Sequence, residues 1–207
     1  MVNKLPSKYE CPLDVWLLAF IDTHLNTYHK LHFTPNMITT ISIVCGMASA
    51  YMVVLQQFPL AAFLFGLAYY FDCVDGKLAR KFNQITVFGD YYDHFGDIFK
   101  FILLLYVLYV SNPHLFTNVI GWILLLYAGM MLHLGCQEKI YEKKQTGQSP
   151  FFKIFKSLIP KHIDPRKCIQ YTRYIGCGTF YFILCFILFF WEPTHTRTTE
   201  TFKNEDA

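Results

Sequence analysis

The sequence predicts an all-α, multi-pass membrane helical bundle of about five to six transmembrane helices, preceded by a helix lying at the membrane interface. Three observations predict it. The 207 residues are 54% hydrophobic and 18% aromatic, with 21 Phe and 14 Tyr, and the mean hydropathy is positive. Apolar stretches recur at a length near the roughly 20 residues that a helix needs to cross a bilayer. Lys and Arg are divided unevenly between alternate loops, as membrane topology requires.

The elements follow in order. The first ten residues are polar, and no short apolar run with a small-residue cleavage site follows, so no cleavable signal peptide is expected. Between Pro12 and Lys30, apolar Val15, Trp16, Leu17, Leu18, Phe20 and Leu25 alternate with polar residues, the pattern of a helix lying on the membrane surface. Spans are predicted near 35–57, 59–80, 87–111, 115–136 and 168–191. The long polar loop 137–167 contains FFKIFKSLI, which reads as a basic interfacial helix. Three regions result: an N-terminal interfacial part (1–34), a transmembrane domain (35–191) and a polar tail (192–207).

Residues 1–34, the 77–83 turn and the 137–167 loop carry fourteen Lys and Arg, whereas the tail carries two. The positive-inside rule therefore puts the N-terminus and the 77–83 turn in the cytoplasm. In a eukaryotic cell the endoplasmic reticulum is the expected membrane. The net charge of +3 reflects topology and anionic lipid, not nucleic acid. The seven cysteines form no C-x-x-C pair or zinc spacing, and they read as small apolar packing residues.

Chemistry concentrates between Asp72 and Asp97, DCVDGKLARKFNQITVFGDYYDHFGD. The uncharged stretches on either side, Pro59–Phe71 and Phe101–Ser111, are thirteen and eleven residues long, too short to span alone. The carboxylates must therefore lie inside membrane helices, where ionisable groups are costly and functional by default. At 100° per residue, Asp72, Asp75, Gly76 and Ala79 share one helical face, and Gly89, Asp93, Gly96, Asp97 and Lys100 share another. Folded about residue 84, the acids meet at matching depths, roughly 13 to 20 Å from the turn at 1.5 Å per residue.

Four gathered carboxylates at about 2.5–3.5 kcal/mol each rival a domain's whole stability of about 5–15 kcal/mol. Protonation would relieve that cost. Divalent cations relieve it better, and hard oxygen ligands suit Mg²⁺, Mn²⁺ or Ca²⁺. Arg80 offers a fork for phosphate oxygens. Acids, metal and a phosphate-binding Arg beside lipid point to chemistry on a phosphorylated lipid precursor.

The pattern Asp72-x2-Asp75-Gly76-x2-Ala79-Arg80-x8-Gly89-x3-Asp93-x3-Asp97 resembles, at all eight fixed positions, the signature of the class-I CDP-alcohol phosphotransferase family. Thr34-Pro35-Asn36-Met37-Ile38-Thr39 resembles the segment opening that family's first helix, so the resemblance covers spans one to three. It implies an enzyme of phospholipid biosynthesis that moves a phosphoryl-linked group from a CDP-activated donor to an alcohol, releasing CMP. It implies that Asp72, Asp75 and Asp93 hold two Mg²⁺ or Mn²⁺ ions that clamp the donor pyrophosphate, with Asp97 contributing to the second. Asp97 would also be the general base. Asp72, Gly76, Ala79 and Arg80 would line the CDP site, with Asn36 and Thr39 reaching it from the first span. Homodimers and six spans are usual in the family. Five are counted here, so a sixth is absent, re-entrant, or contained in 145–165.

Relatives with a phosphorylated acceptor or inositol commonly carry a basic residue where this chain has Ile98. His94, Lys100 and Arg173 are the candidate acceptor contacts. The chain length suits small phosphatidyltransferases that use CDP-diacylglycerol. His94 after Asp93, together with Pro12-Leu13-Asp14, instead resembles choline and ethanolamine phosphotransferases, which combine a CDP-amino alcohol with diacylglycerol.

Other polar residues have plainer readings. Asp90 is a flanking acid. His24, His29 and His32 are surface residues, His133 is a hydrogen-bonded interior histidine, and Arg173 snorkels to headgroups or binds an acceptor phosphate. A cation transporter would show discontinuous helices and a repeated half, neither visible in the sequence. An inactive scaffold would have lost a motif position, and none is lost.

Overall fold

The computed structural model describes residues 6–141, 157, 159–160 and 163–192, and among these every regular element is helical. In chain order they are α1 (Pro12–Lys30), α2 (Pro35–Val54), α3 (Phe58–Lys81), α4 (Val87–Ser111), α5 (Pro113–Tyr141), α6 (Pro165–Thr172) and α7 (Cys177–Phe189), with 3₁₀ turns at Ser7–Tyr9 and Arg173–Ile175. Five stretches are long and apolar enough to cross a membrane: α2, α3, α4, α5 and the composite Pro165–Phe189. The basic interfacial helix expected within 151–159 and the tail beyond Glu192 fall mostly or wholly outside the described residues, as does most of the 145–165 segment.

Local chemistry sets the helix ends. Thr34 caps α2 through its Oγ1, which accepts from Met37 N, and Pro35 opens the first turn, where a missing N–H costs nothing. Gln56 has a positive φ of 58°, which ends α2 short of the expected residue 57. After α3 the chain reverses through Asn83 at φ 54°, a residue type that tolerates the left-handed region. Thr86 then caps α4 by accepting from Gly89 N at 2.9 Å.

Helix α2 is the hub, packing on both α3 and α4. Its buried face carries Ser42, Gly46, Ser49 and Ala50, small residues that let neighbouring backbones approach closely. Ser42 Oγ lies 2.8 Å from Ala68 O and Ser49 Oγ donates to Ala61 O at 2.7 Å, so the polar atoms on this face are satisfied within the bundle. A core of Phe65, Leu104, Leu108, Ile123, Phe180 and Leu184 joins α3, α4, α5 and α7. Large apolar side chains such as Met47, Phe63, Ile102, Trp122, Leu125 and Phe182 point outward, as a lipid-facing surface does.

The interfacial α1 lies against α3 and α7. Ile21 and Leu25 of α1 close over Ile38, Val74 and Leu78. Lys77, turned away from the aspartate face, is 2% exposed; its Nζ pairs with Asp22 at 2.5 Å and donates to Leu18 O at 2.8 Å. Asp14 accepts from Tyr69 Oη at 2.5 Å. Burial pushes the Asp14 carboxyl upward, and the bonds from Tyr69 and the Gly178 N–H partly offset this.

The last span departs from the uninterrupted helix expected over 168–191. It breaks between α6 and α7, where Gly176 adopts an extended conformation (φ −74°, ψ −173°). A Cβ at Gly176 would come within 2.8 Å of His133 Cδ2 and 2.9 Å of Cys11 Cβ, so close packing of three segments requires glycine there. The bundle therefore contains a discontinuous helix that hydropathy alone does not reveal. His133 is 1% exposed, with Nδ1 3.3 Å from Thr172 Oγ1 and Nε2 3.0 Å from Gln137 Nε2, an interior hydrogen-bonded histidine. All seven cysteines are free.

Candidate active site

The antiparallel ends of α3 and α4 bring the motif acids together. Asp72, Asp93 and Asp97 each offer a carboxylate oxygen, and the three atoms lie within 4.8 Å of one another. Asp75, one turn after Asp72, stands outside that group. It is 4% exposed, and its Oδ2 accepts from Thr39 Oγ1 at 2.6 Å, which ties the motif helix to the start of α2.

Lys100 reaches the same acids from below. Its Nζ lies 2.9 Å from Asp97 Oδ1 and 3.2 Å from Asp72 Oδ1, and it donates to Ser42 Oγ at 2.7 Å. The lysine is 2% exposed. Its stem passes where a side chain at Gly46 would be, since a Cβ there would fall 2.6 Å from Lys100 Cγ. Ser42 and Gly46 were not singled out from the sequence. The available signal is their spacing of four, which puts both on one face of α2.

The other motif residues make contacts along the same two helices and with the start of α2. Arg80 folds back over Gly76, where a Cβ would be 3.2 Å from Arg80 Nη1. The Arg80 Nε is buried and has no hydrogen-bond partner among the described residues. Gly89 allows α4 to approach Asn36, whose Oδ1 would sit 2.9 Å from a Cβ at that position. Ala79 is partly buried beside them in the chain.

Of the other candidate acceptor contacts, His94 borders the acids and Arg173 lies in the last span. His94 Nδ1 is 2.8 Å from Asp90 O and 3.9 Å from carboxylate oxygens of both Asp90 and Asp93. Arg173 sits in the break of the last span, donating from Nη1 to Lys8 O at 2.7 Å and covering the Tyr174 ring. Ile98 is exposed.

The donor set fits a hard divalent cation. It consists of carboxylate oxygens only, and Asp93 Oδ1 is buried without a hydrogen-bond partner among the described residues. Such an atom is costly unless something completes it. Separately, an apolar groove of about 430 Å³ runs between α1, α3 and α7, bordered by Leu13, Trp16, Phe63, Leu67, Tyr181 and Phe182.

Comparison with known proteins gives the chain's relatives. The family model described as CDP-alcohol phosphatidyltransferase matches residues 32–191. The chain is 34% identical over 73 residues to CDP-diacylglycerol–serine O-phosphatidyltransferases from two strains of Helicobacter pylori, covering 35% of this chain and 31% of each relative. It is 31% identical over 67 residues to an archaetidylinositol phosphate synthase from Pyrococcus horikoshii, covering 32% of this chain and 36% of the relative. The matched part is thus about a third of these relatives' length. No solved structure matches. Because that family model matches residues 32–191, most of the chain, the chain belongs to the CDP-alcohol phosphatidyltransferase family.

Proposed function

We propose that this protein is a metal-dependent transferase of phospholipid biosynthesis. It transfers a phosphatidyl group from a CDP-diacylglycerol-like donor to an alcohol and releases CMP. The observation that carries this reading is the convergence of Asp72, Asp93 and Asp97 in a chain of this family. The relatives' own names support the donor class, and the apolar groove between α1, α3 and α7 suits an acyl chain.

Asp72, Asp75 and Asp93 would hold a pair of divalent ions, Mg²⁺ or Mn²⁺, with Asp97 contributing to the second. Bound there, such a pair stabilises charge developing on both sides of the transferred phosphorus. Arg80, with its unsatisfied Nε, grips donor phosphate oxygens, and Asn36, Thr39, Gly76 and Ala79 border the CDP moiety. Asp97 takes the proton of the acceptor hydroxyl as the new oxygen–phosphorus bond forms. The phosphoanhydride bond to CMP breaks in the same step.

The N-terminus and the α3–α4 turn face the cytoplasm, and the molecule works as a homodimer in the membrane. A substrate matrix tests the assignment. CDP-diacylglycerol, CDP-choline and CDP-ethanolamine are crossed with serine, inositol, glycerol 3-phosphate and diacylglycerol, with CMP release as readout. CDP-diacylglycerol should be the productive donor, and glycerol 3-phosphate a poor acceptor because Ile98 replaces a basic residue. Turnover confined to CDP-choline or CDP-ethanolamine with diacylglycerol would make the protein an amino-alcohol phosphotransferase instead.

A further inference from the structure

We propose that Lys100 is a resident counter-cation of the aspartate site, holding Asp72 and Asp97 in place without a bound ion and weakening the binding of divalent ions. The inference rests on the metal reading above and goes beyond it. Three observations lead to it. The Lys100 Nζ bridges Asp97 Oδ1 and Asp72 Oδ1, at 2.9 and 3.2 Å. These residues belong to the carboxylate group whose oxygens converge within 4.8 Å. The lysine is built in, since Ser42 Oγ anchors its head at 2.7 Å and only a glycine at 46 leaves room for its stem.

The consequence is electrostatic. A buried ammonium replaces part of the missing cation charge, so the acids stay together without metal. An incoming dication shares two carboxylates with that ammonium and is repelled by it. Asp93 makes no pair with Lys100 among the described contacts and is the unshared part of the site. The Oδ1 atoms of Asp93 and Asp97 are both buried without a hydrogen-bond partner among the described residues, and the ammonium holds the Asp97 atom by charge.

The test uses the full chain in detergent and Mn²⁺ alone as probe. Free Mn²⁺ is measured by electron paramagnetic resonance, and thermal melting is recorded in chelator and in saturating Mn²⁺. Lys100→Met and Lys100→Gln should each bind Mn²⁺ at least tenfold more tightly than the unmutated protein (about 1.4 kcal/mol). Their melting temperature should fall in chelator and rise with Mn²⁺ by more than that of the unmutated protein, because tighter binding to the folded state stabilises it more. A variant that folds only with Mn²⁺ supports the same conclusion.

Unchanged or weaker Mn²⁺ binding in a folded neutral variant overturns the proposal and leaves Lys100 a positioning residue for Asp97. Failure of both variants to fold even with Mn²⁺ overturns it as well, making the lysine a purely structural pillar. If no form binds Mn²⁺ at all, the metal reading itself fails, a result distinct from either.

Discussion

Two roles are proposed for Asp97, metal ligand and general base, and a single substitution separates them. If it takes the acceptor proton, Asp97→Asn should keep CDP-donor binding within about tenfold, or about 1.4 kcal/mol. Turnover should fall by the roughly 10²–10⁴ typical of removing a general base. Donor affinity falling in step with rate would make Asp97 mainly a metal ligand. Asp72→Asn and Asp93→Asn should each abolish turnover, because a neutral amide cannot replace a bridging charge. Asp75→Asn should do so too, and it should also disturb α2 through Thr39. The convergence of Asp72, Asp93 and Asp97 was legible in the sequence because their spacing is a helical phase relation across a short hairpin. Ser42 and Gly46 were not. Their role depends on which helix α2 faces, and α2 is apolar almost throughout, so its sequence does not mark that face.

At the scale of elements, α1 is fastened to α3 by a pair that sequence periodicity cannot assign. Lys77 lies within the motif hairpin yet turns away from the acids and is buried against Asp22. Removing one partner of a buried ion pair costs about 3–5 kcal/mol. Asp22 is about a quarter exposed, so solvent screening reduces the expected loss for Asp22→Asn to about 2 kcal/mol, read as lower thermal stability in detergent. No loss would mean that the Leu18 carbonyl satisfies the ammonium alone. The break before α7 was equally hidden. Arg173 to Cys177 falls inside the span predicted over 168–191, and the reason for the interruption is the three-way contact of Gly176 with Cys11 and His133. Gly176→Ala should therefore displace α7 and lower the melting temperature.

At the scale of the whole molecule, five candidate spans lead to the prediction that the 137–167 loop and the 192–207 tail lie on opposite faces of the membrane. Single cysteines in the 137–167 loop and in the 192–207 tail, introduced into a cysteine-free background, should label from opposite sides, the loop from the cytoplasm. Labelling from one side would require an even number of spans. The uneven distribution of Lys and Arg carries this expectation, because charge is sorted between loops during insertion. The order in which the helices pack was not readable, because the apolar faces of membrane helices resemble one another. The central claim is that these packed helices hold carboxylates for a divalent ion that serves phosphoryl transfer. It is tested most directly by CMP release from CDP-diacylglycerol by the purified protein, with Mg²⁺ or Mn²⁺ and with excess chelator. The account predicts turnover only with the ion, restored when the ion is returned, and none in Asp93→Asn under any condition. Full activity in excess chelator would contradict it.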